Sequence, residues 1–309
     1  MSTQAEVRGV VDGLPGVELD ELVAHAALLH RIDRKYAVSR RELPGLLAVL
    51  PTDTRALDID GRREFGYRSV YLDTLALAGY HLAAAGRRRR FKVRSRAYLD
   101  TGTRWLEVKT RGPRGATVKQ RIAHHDAEFA PLTELGAAFV DWCLTEAHVS
   151  VVTAEELSPV LVTAYRRTTL LLPGQQTRVT IDTDLGWTGL PAGGGDLDRP
   201  GLAIVETKSG STPSEVDRLL WRSGHRPMPL SKYAVGLAAL RPDLPRNKWH
   251  RTLDHHLGVR RCRAEDATGP APAEADDVPS YVVRPITSRL ASSRLAHAQH
   301  CQPTSRSAS

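Results

Sequence analysis

Charged residues recur two or four apart along this chain with mostly apolar residues between them. The sets are Asp33/Lys35, Lys92/Arg94/Arg96, Glu107/Lys109/Arg111, Lys119/Arg121, Arg178/Asp182 and Glu206/Lys208, with Tyr165/Arg167 in the same pattern. A period of two puts alternate side chains on one face of a strand, so each set predicts a strand with one cationic and one apolar face. Like charges about 4 Å apart repel by roughly 4 kcal/mol at an effective dielectric near 20, so such rows persist only if solvated, paired or facing an anion. Guanidinium forks match phosphate oxygens bidentately and stay protonated, which directs the chemistry toward phosphate groups. Glu107 and Glu206 among these cations suggest Mg²⁺ or Mn²⁺ bridging a phosphate chain, or else simple partners for the neighbouring lysines.

For any single pair, a solvated surface is the ordinary explanation. Cations on nearly every one of about eight strands call for convergence instead. An α+β fold with a closed antiparallel eight-stranded barrel, polar inside and covered by helices outside, gathers them into one tunnel that traps anions.

The elements that position these rows read as follows. Leu19, Leu22, Val23, Ala26 and Leu29 recur at helical spacing before a short strand, Ile32–Val38. Ser39-Arg40-Arg41-Glu42 is a capping box that opens a helix to Leu50. Tyr67–Asp73 reads as a strand, followed by an Ala/Leu-rich helix ending near Gly86 and then by the run Arg87–Arg90 leading into the Lys92 strand. Gly112-Pro113-Arg114-Gly115 joins two strands as a hairpin. A helix spans about 131–147, strands cover Val160–Leu172, Arg178–Asp182 and Leu202–Lys208, and the glycine-rich stretch 189–201 is a loop. Thr212-Pro213-Ser214-Glu215 starts one helix with Thr212 as its cap, and Ser231 starts another through Leu240.

With 309 residues, 41% hydrophobic and 25% charged, the chain suits a globular protein with a sizeable core. The domain reading is a flexible N-terminus over 1–16, a folded domain over 17–250 and a disordered tail over 251–309. The tail holds 8 basic and 6 acidic residues, so +6 of the net +8 belongs to residues 1–250. That charge favours an anionic partner, while aromatics at 6% are too sparse for the stacking that single-stranded nucleic acid requires. No nucleic-acid partner is expected. Three distant cysteines without metal spacing predict a reducing, cytoplasmic compartment. No apolar run is long enough for a membrane span. Asp254-His255-His256, His124-His125 and Gly193-Gly194-Gly195 lack the context that a phosphoesterase, a metal site or a P-loop needs, and no Gly-x-Ser-x-Gly nucleophile elbow occurs.

Nine short motifs in order carry a family resemblance: Arg34-Lys35-Tyr36, Tyr71-Leu72-Asp73, Lys92–Tyr98, Leu106-Glu107-Val108-Lys109, Lys119-Gln120-Arg121, Tyr165-Arg166-Arg167, Arg178–Asp182, Val205-Glu206-Thr207-Lys208 and Leu230-Ser231-Lys232-Tyr233. Over about residues 28–240 the chain resembles the VTC domain, the polyphosphate polymerase module of the vacuolar transporter chaperone complex, within the CYTH or triphosphate tunnel metalloenzyme superfamily. The resemblance implies a tunnel taking ATP and a growing polyphosphate chain, with Mn²⁺ or Mg²⁺. It implies Arg94, Arg96, Arg167, Arg178 and Lys232 as catalytic cations and Lys35, Tyr71, Lys109, Lys119, Arg121 and Lys208 as substrate-binding residues. Glu206 and Glu107 are the implied metal ligands. A first strand reduced to Asp33-Arg34-Lys35 departs from the glutamate-rich strand of related tunnel enzymes. A triphosphate or polyphosphate hydrolase of the same fold, and a non-catalytic polyphosphate sensor, are the alternative expectations.

Overall fold

A computed structural model of the chain describes residues 3–25, 32–124, 129–190 and 194–259. In chain order the elements are α1 (Thr3–Asp12), β1 (Gly16–Val17), α2 (Leu19–His25), β2 (Ile32–Ser39), α3 (Leu43–Ala48), β3 (Arg55–Leu57) and β4 (Glu64–Asp73). Next come α4 (Ala78–Ala84), β5 (Lys92–Tyr98), β6 (Arg104–Arg111), β7 (Thr117–Ala123), α5 (Glu134–Glu146), β8 (Ser158–Leu172) and β9 (Thr177–Gly189). The described residues finish with β10 (Asp196–Arg199), β11 (Leu202–Ser209), α6 (Glu215–Arg222), α7 (Lys232–Leu240) and α8 (His250–His256).

Eight strands form one antiparallel path in the order β2-β11-β9-β8-β4-β5-β6-β7, with β1, β3 and β10 as short additions. The fold is α+β, but the expected closed barrel does not form: among the described residues β2 and β7 bound an open path. β7 exposes Thr117, Val118, Lys119, Arg121 and Ala123. A closing ladder would also draw Lys119 and Arg121 toward Lys35 of β2, adding like-charge repulsion.

The sheet is nonetheless strongly curled. Five strand steps separate β2 from β5, about 24 Å in a flat sheet. Yet Met228 donates its N–H to the Lys35 carbonyl at 2.8 Å, and Lys92 Nζ donates to Ser231 Oγ at 2.7 Å. Three residues span at most about 11 Å, so this one segment can bridge both strands only if their faces turn toward each other. The result is a trough whose inner face carries the charged rows.

The outer face is apolar and covered. Tyr36, Val38, Val179, Ile181 and Val205 pack with Val11 of α1, Leu43 and Leu47 of α3, and Val216 and Leu220 of α6. Val93, Leu106 and Val108 pack under Val140, Cys143 and Leu144 of α5. The helices were expected only outside, and α7 departs from this. Its Tyr233, Val235 and Leu237 pack with Tyr71, Leu161, Leu185, Trp187 and Ile204, which share the inner face, so α7 fills one end of the trough. Gly236 permits the approach, since a Cβ there would lie 2.2 Å from the Trp187 ring. Buried Asp73 ties β4 to α4 and α7 by accepting the Gly79 and Tyr80 N–H groups and the Tyr233 hydroxyl.

Several boundaries differ from the sequence reading. The strand expected over Arg178–Asp182 runs on to Gly189, and the glycine-rich stretch 189–201, expected as a loop, carries β10, because Asp196–Arg199 pairs back onto that extension of β9. Thr3–Asp12, expected within a flexible terminus, form α1, because Val11 buries itself against α3 and the sheet. The folded unit also extends past 250: Leu253 and Leu257 are buried around α8, and only residues 260–309 of the expected tail lie outside the described residues. The cap of α6 is Ser214 rather than Thr212, with Asp217 completing the box while it accepts from the Tyr36 and Thr207 hydroxyls. His125 and Gly193 are outside the described residues.

Candidate phosphate-binding trough

Register assembles the site in transverse rows. Tyr71, Arg94, Glu107 and Arg121 are direct neighbours across β4, β5, β6 and β7, and Lys92, Lys109 and Lys119 form the adjacent row. On the other wall, Lys35 faces Glu206, and Asp33, Lys208 and Arg178 form a row across β2, β11 and β9. Arg167 of β8 faces Asp182 of β9. Of the sequence-derived candidates, Arg94 and Arg96 are buried, Arg121 and Lys119 are exposed at the β7 edge, and the other cations are half-buried.

Three carboxylates hold the cations in place. Glu107, with no exposed surface, receives Arg94 Nε and Nη2 at 2.7 and 2.5 Å on Oε2 and Lys119 Nζ at 2.5 Å on Oε1. Asp182 takes Arg167 bidentately, Nε at 2.5 Å and Nη2 at 2.8 Å, and also Lys232 Nζ from the first turn of α7. Glu206 Oε1 pairs with Lys208 at 2.5 Å and Lys35 at 3.7 Å, while Lys208 also reaches Asp33 at 3.0 Å. Tyrosines complete the floor: Arg94 Nη1 donates to Tyr71 at 3.2 Å and Arg96 Nη2 to Tyr165 at 3.0 Å, and Lys232 lies 4.3 Å over the Tyr165 ring. Arg121 stacks on Trp105 at 4.4 Å.

Burial and charge set the protonation states. Burial raises each carboxyl, yet the cations win. Arg94, Arg96 and Lys119 hold Glu107 well below the usual carboxylate range, and Arg167 and Lys232 bring Asp182 down to about 2. Lys35, Lys208 and Arg167 do the same for Glu206. The lysines move the other way: burial, with Lys35 and Arg94 nearby, brings Lys92 down to about 7, and Arg94 together with burial lowers Lys109. An anion in the trough favours the ammonium form, so binding takes up protons. Because the free-state value is depressed, that uptake weakens binding as pH rises through about 7. Affinity for tripolyphosphate should fall roughly tenfold more between pH 6.5 and 8.5 in the parent than in Lys92→Arg. Titration calorimetry in buffers of different ionisation enthalpy measures this, and identical proton uptake by the two proteins would refute it.

The implied divalent ion can be tested against these donors. Among the described residues no three His, Cys, Asp or Glu side chains cluster as a metal cage. Glu107 fits poorly, because both oxygens already face cations. Glu206 fits, being ionised with its close lysine contacts on one oxygen, and Mg²⁺-type ions commonly take one or two carboxylates with the rest from phosphates and water.

Asp182, Tyr165, Lys92 and Ser231 join the site without having been selected from sequence. Asp182 and Lys92 stood in the alternating rows. Tyr165 paired with Arg167 in sequence, but its contact to Arg96 spans 69 residues and has no local signal.

A family profile for the VTC domain matches residues 30–241. Similar solved structures include a candidate adenylate cyclase from Bacillus halodurans at 16% identity, covering 65% of this chain and 94% of that one with a TM-score of 0.40. Another is a candidate adenylyl cyclase from Hippeastrum with a dominant triphosphatase activity, at 16% identity, covering 66% and 94% with a TM-score of 0.42. Comparison with curated proteins finds no match. With more than two thirds of its length inside the profile, and with the nine motifs lining one trough, the chain belongs to the VTC domain family.

Proposed function

We propose that the protein is a metal-dependent polyphosphate polymerase that transfers the γ-phosphoryl group of ATP to a polyphosphate chain lying in the trough. One observation carries the reading. Among the described residues, the inner face gathers Lys35, Lys92, Arg94, Arg96, Lys109, Lys119, Arg121, Arg167, Arg178, Lys208 and Lys232, far outnumbering the acids beside them, Asp33, Glu107, Asp182 and Glu206, with Asp73 held at the α7 end. Such an excess in a partly buried space calls for a multiply charged anion.

In the reaction, a terminal oxygen of the chain attacks the γ-phosphorus in line, the bond to the β-bridging oxygen breaks, and ADP leaves. Charge spreads over the equatorial oxygens, so catalysis is positioning plus electrostatic stabilisation. Arg167 commits two of its five N–H donors to Asp182, which aims the guanidinium and leaves others for phosphate. Arg94 and Arg96 are fixed by Glu107, Tyr71 and Tyr165 before substrate arrives, which avoids reorganisation during the step. Lys232 brings the α7 N-terminus and its partial positive charge to the same point. Arg178, Lys35, Lys109, Lys119, Arg121 and Lys208 bind the remaining phosphates, with the Tyr71 hydroxyl orienting Arg94. A divalent ion held by Glu206 would neutralise phosphate oxygens.

Hydrolysis is the second reading, since a water placed in line with the γ-phosphorus in the same cationic site would take the place of the chain as nucleophile. Incubating the purified chain with ATP and Mn²⁺ and resolving the products decides. Long phosphate chains with ADP support the polymerase. Phosphate or tripolyphosphate indicates a hydrolase, and binding without turnover indicates a sensor.

A further inference from the structure

The run Arg87–Arg90 is not used by the trough, yet it lies on the trough's own line. β5 begins at Lys92, which pairs with Lys109 of β6; Arg90 lies two residues before that strand, and Arg111, two residues beyond Lys109, ends β6. Arg90 feels the charge of Arg111, so the two bring cations together just beyond Lys92 and Lys109. Lys248 joins them. It and Arg90 both act on half-buried Lys92, and Arg90 and Arg111 both act on Lys248, so these cations stand close to one another at the outer end of the Lys92 row. Arg87, Arg88 and Arg89 extend it into solvent.

Local structure does not absorb this charge. Arg90 Nη1 donates to the carbonyls of Arg87 at 2.7 Å and Gly86 at 3.3 Å, and Lys248 Nζ to that of Ala83 at 3.1 Å, all around the C-terminus of α4. Arg111 Nη1 donates to the Gly115 carbonyl. A helix C-terminus carries at most about half a negative charge, far less than three full cations beside it. The aromatic rings along the track, Tyr71, Tyr233 and Trp249, are at most 3% exposed. Base stacking is therefore not offered, and the track suits a polyanion without bases.

We propose that Arg90, Arg111 and Lys248, extended by Arg87–Arg89, form a binding site for inorganic polyphosphate outside the trough, so that the protein selects long linear chains over free triphosphate. The proposal rests on the trough reading above for the inner end of the chain. It is tested by titrating the full chain with tripolyphosphate and with long-chain polyphosphate. The parent should bind the long chain more tightly. R90A/R111A/K248A should lose about tenfold for the long chain and less than twofold for tripolyphosphate. R87E/R88E/R89E, changed only at exposed positions, should lose affinity in the same selective way and guards against misfolding of the first variant. Equal losses for both ligands, no loss in either variant, or a parent without length preference would overturn the rim. Displacement of the long chain by a single-stranded oligonucleotide of matched charge would overturn its assignment to inorganic phosphate. Arg94→Ala separates the two ideas: if it leaves tripolyphosphate binding intact, the trough reading fails while length selection by the rim can still be scored.

Discussion

Glu107→Ala should destabilise the protein by about 3–5 kcal/mol, the usual consequence of stripping the partner from a buried ion pair. Glu107 has no exposed surface, and Arg94 beside it is 7% exposed. Without the carboxylate, Arg94 and Lys119 face each other and Lys109 with nothing between them. The same loss makes the trough more positive, so tripolyphosphate should bind the variant more tightly and restore stability. A ligand at a hundred times its Kd stabilises by about 2.7 kcal/mol. Urea denaturation with and without tripolyphosphate reads both effects. An unchanged midpoint, or a loss that anions do not rescue, would show that Glu107 is not the internal counter-ion of the cationic rows. The pair also sets an acid limit: the Glu107 carboxyl is depressed, so its contribution is present above the unfolded carboxylate range and disappears as pH falls through the lower folded value.

Glu206→Gln should have the opposite profile. Turnover of ATP with Mn²⁺ is expected to fall at least about a hundredfold, equivalent to roughly 2.7 kcal/mol of transition-state stabilisation. Metal-free binding of tripolyphosphate should persist within about threefold, because Lys35 and Lys208 remain and lose only their internal partner. Full activity in this variant would remove Glu206 from the metal role. The contrast between the glutamates follows from geometry. Glu107 has cations on both oxygens, whereas the close lysine contacts of Glu206 fall on one.

Much of this was legible in the sequence because strand periodicity is local. Alternation alone placed Lys92, Arg94 and Arg96 on one face and Glu107 and Lys109 on another strand's matching face, and the structure pairs those strands in register. The capping box at Ser39, the N-cap at Ser231 and the Gly112–Gly115 turn likewise depend on neighbours within a few residues. Residues 1–16 read as flexible, yet α1 forms there, because its placement depends on a partner surface elsewhere in the chain.

What the sequence by itself determined, then, is the inventory: which strands exist, which faces are cationic, and that phosphate is the chemistry they suit. Tertiary structure decided the connections. Whether the sheet closes depends on edge strands β2 and β7, far apart in sequence and both cationic, and their pattern is the same in an open trough as in a barrel. Asp182 holding Arg167 and Lys232 joins residues 15 and 50 positions away, and Arg96 meeting Tyr165 spans 69. Side-chain spacing along one strand carries no information about such partners, because they are set by how far the sheet curls and by where α7 enters it.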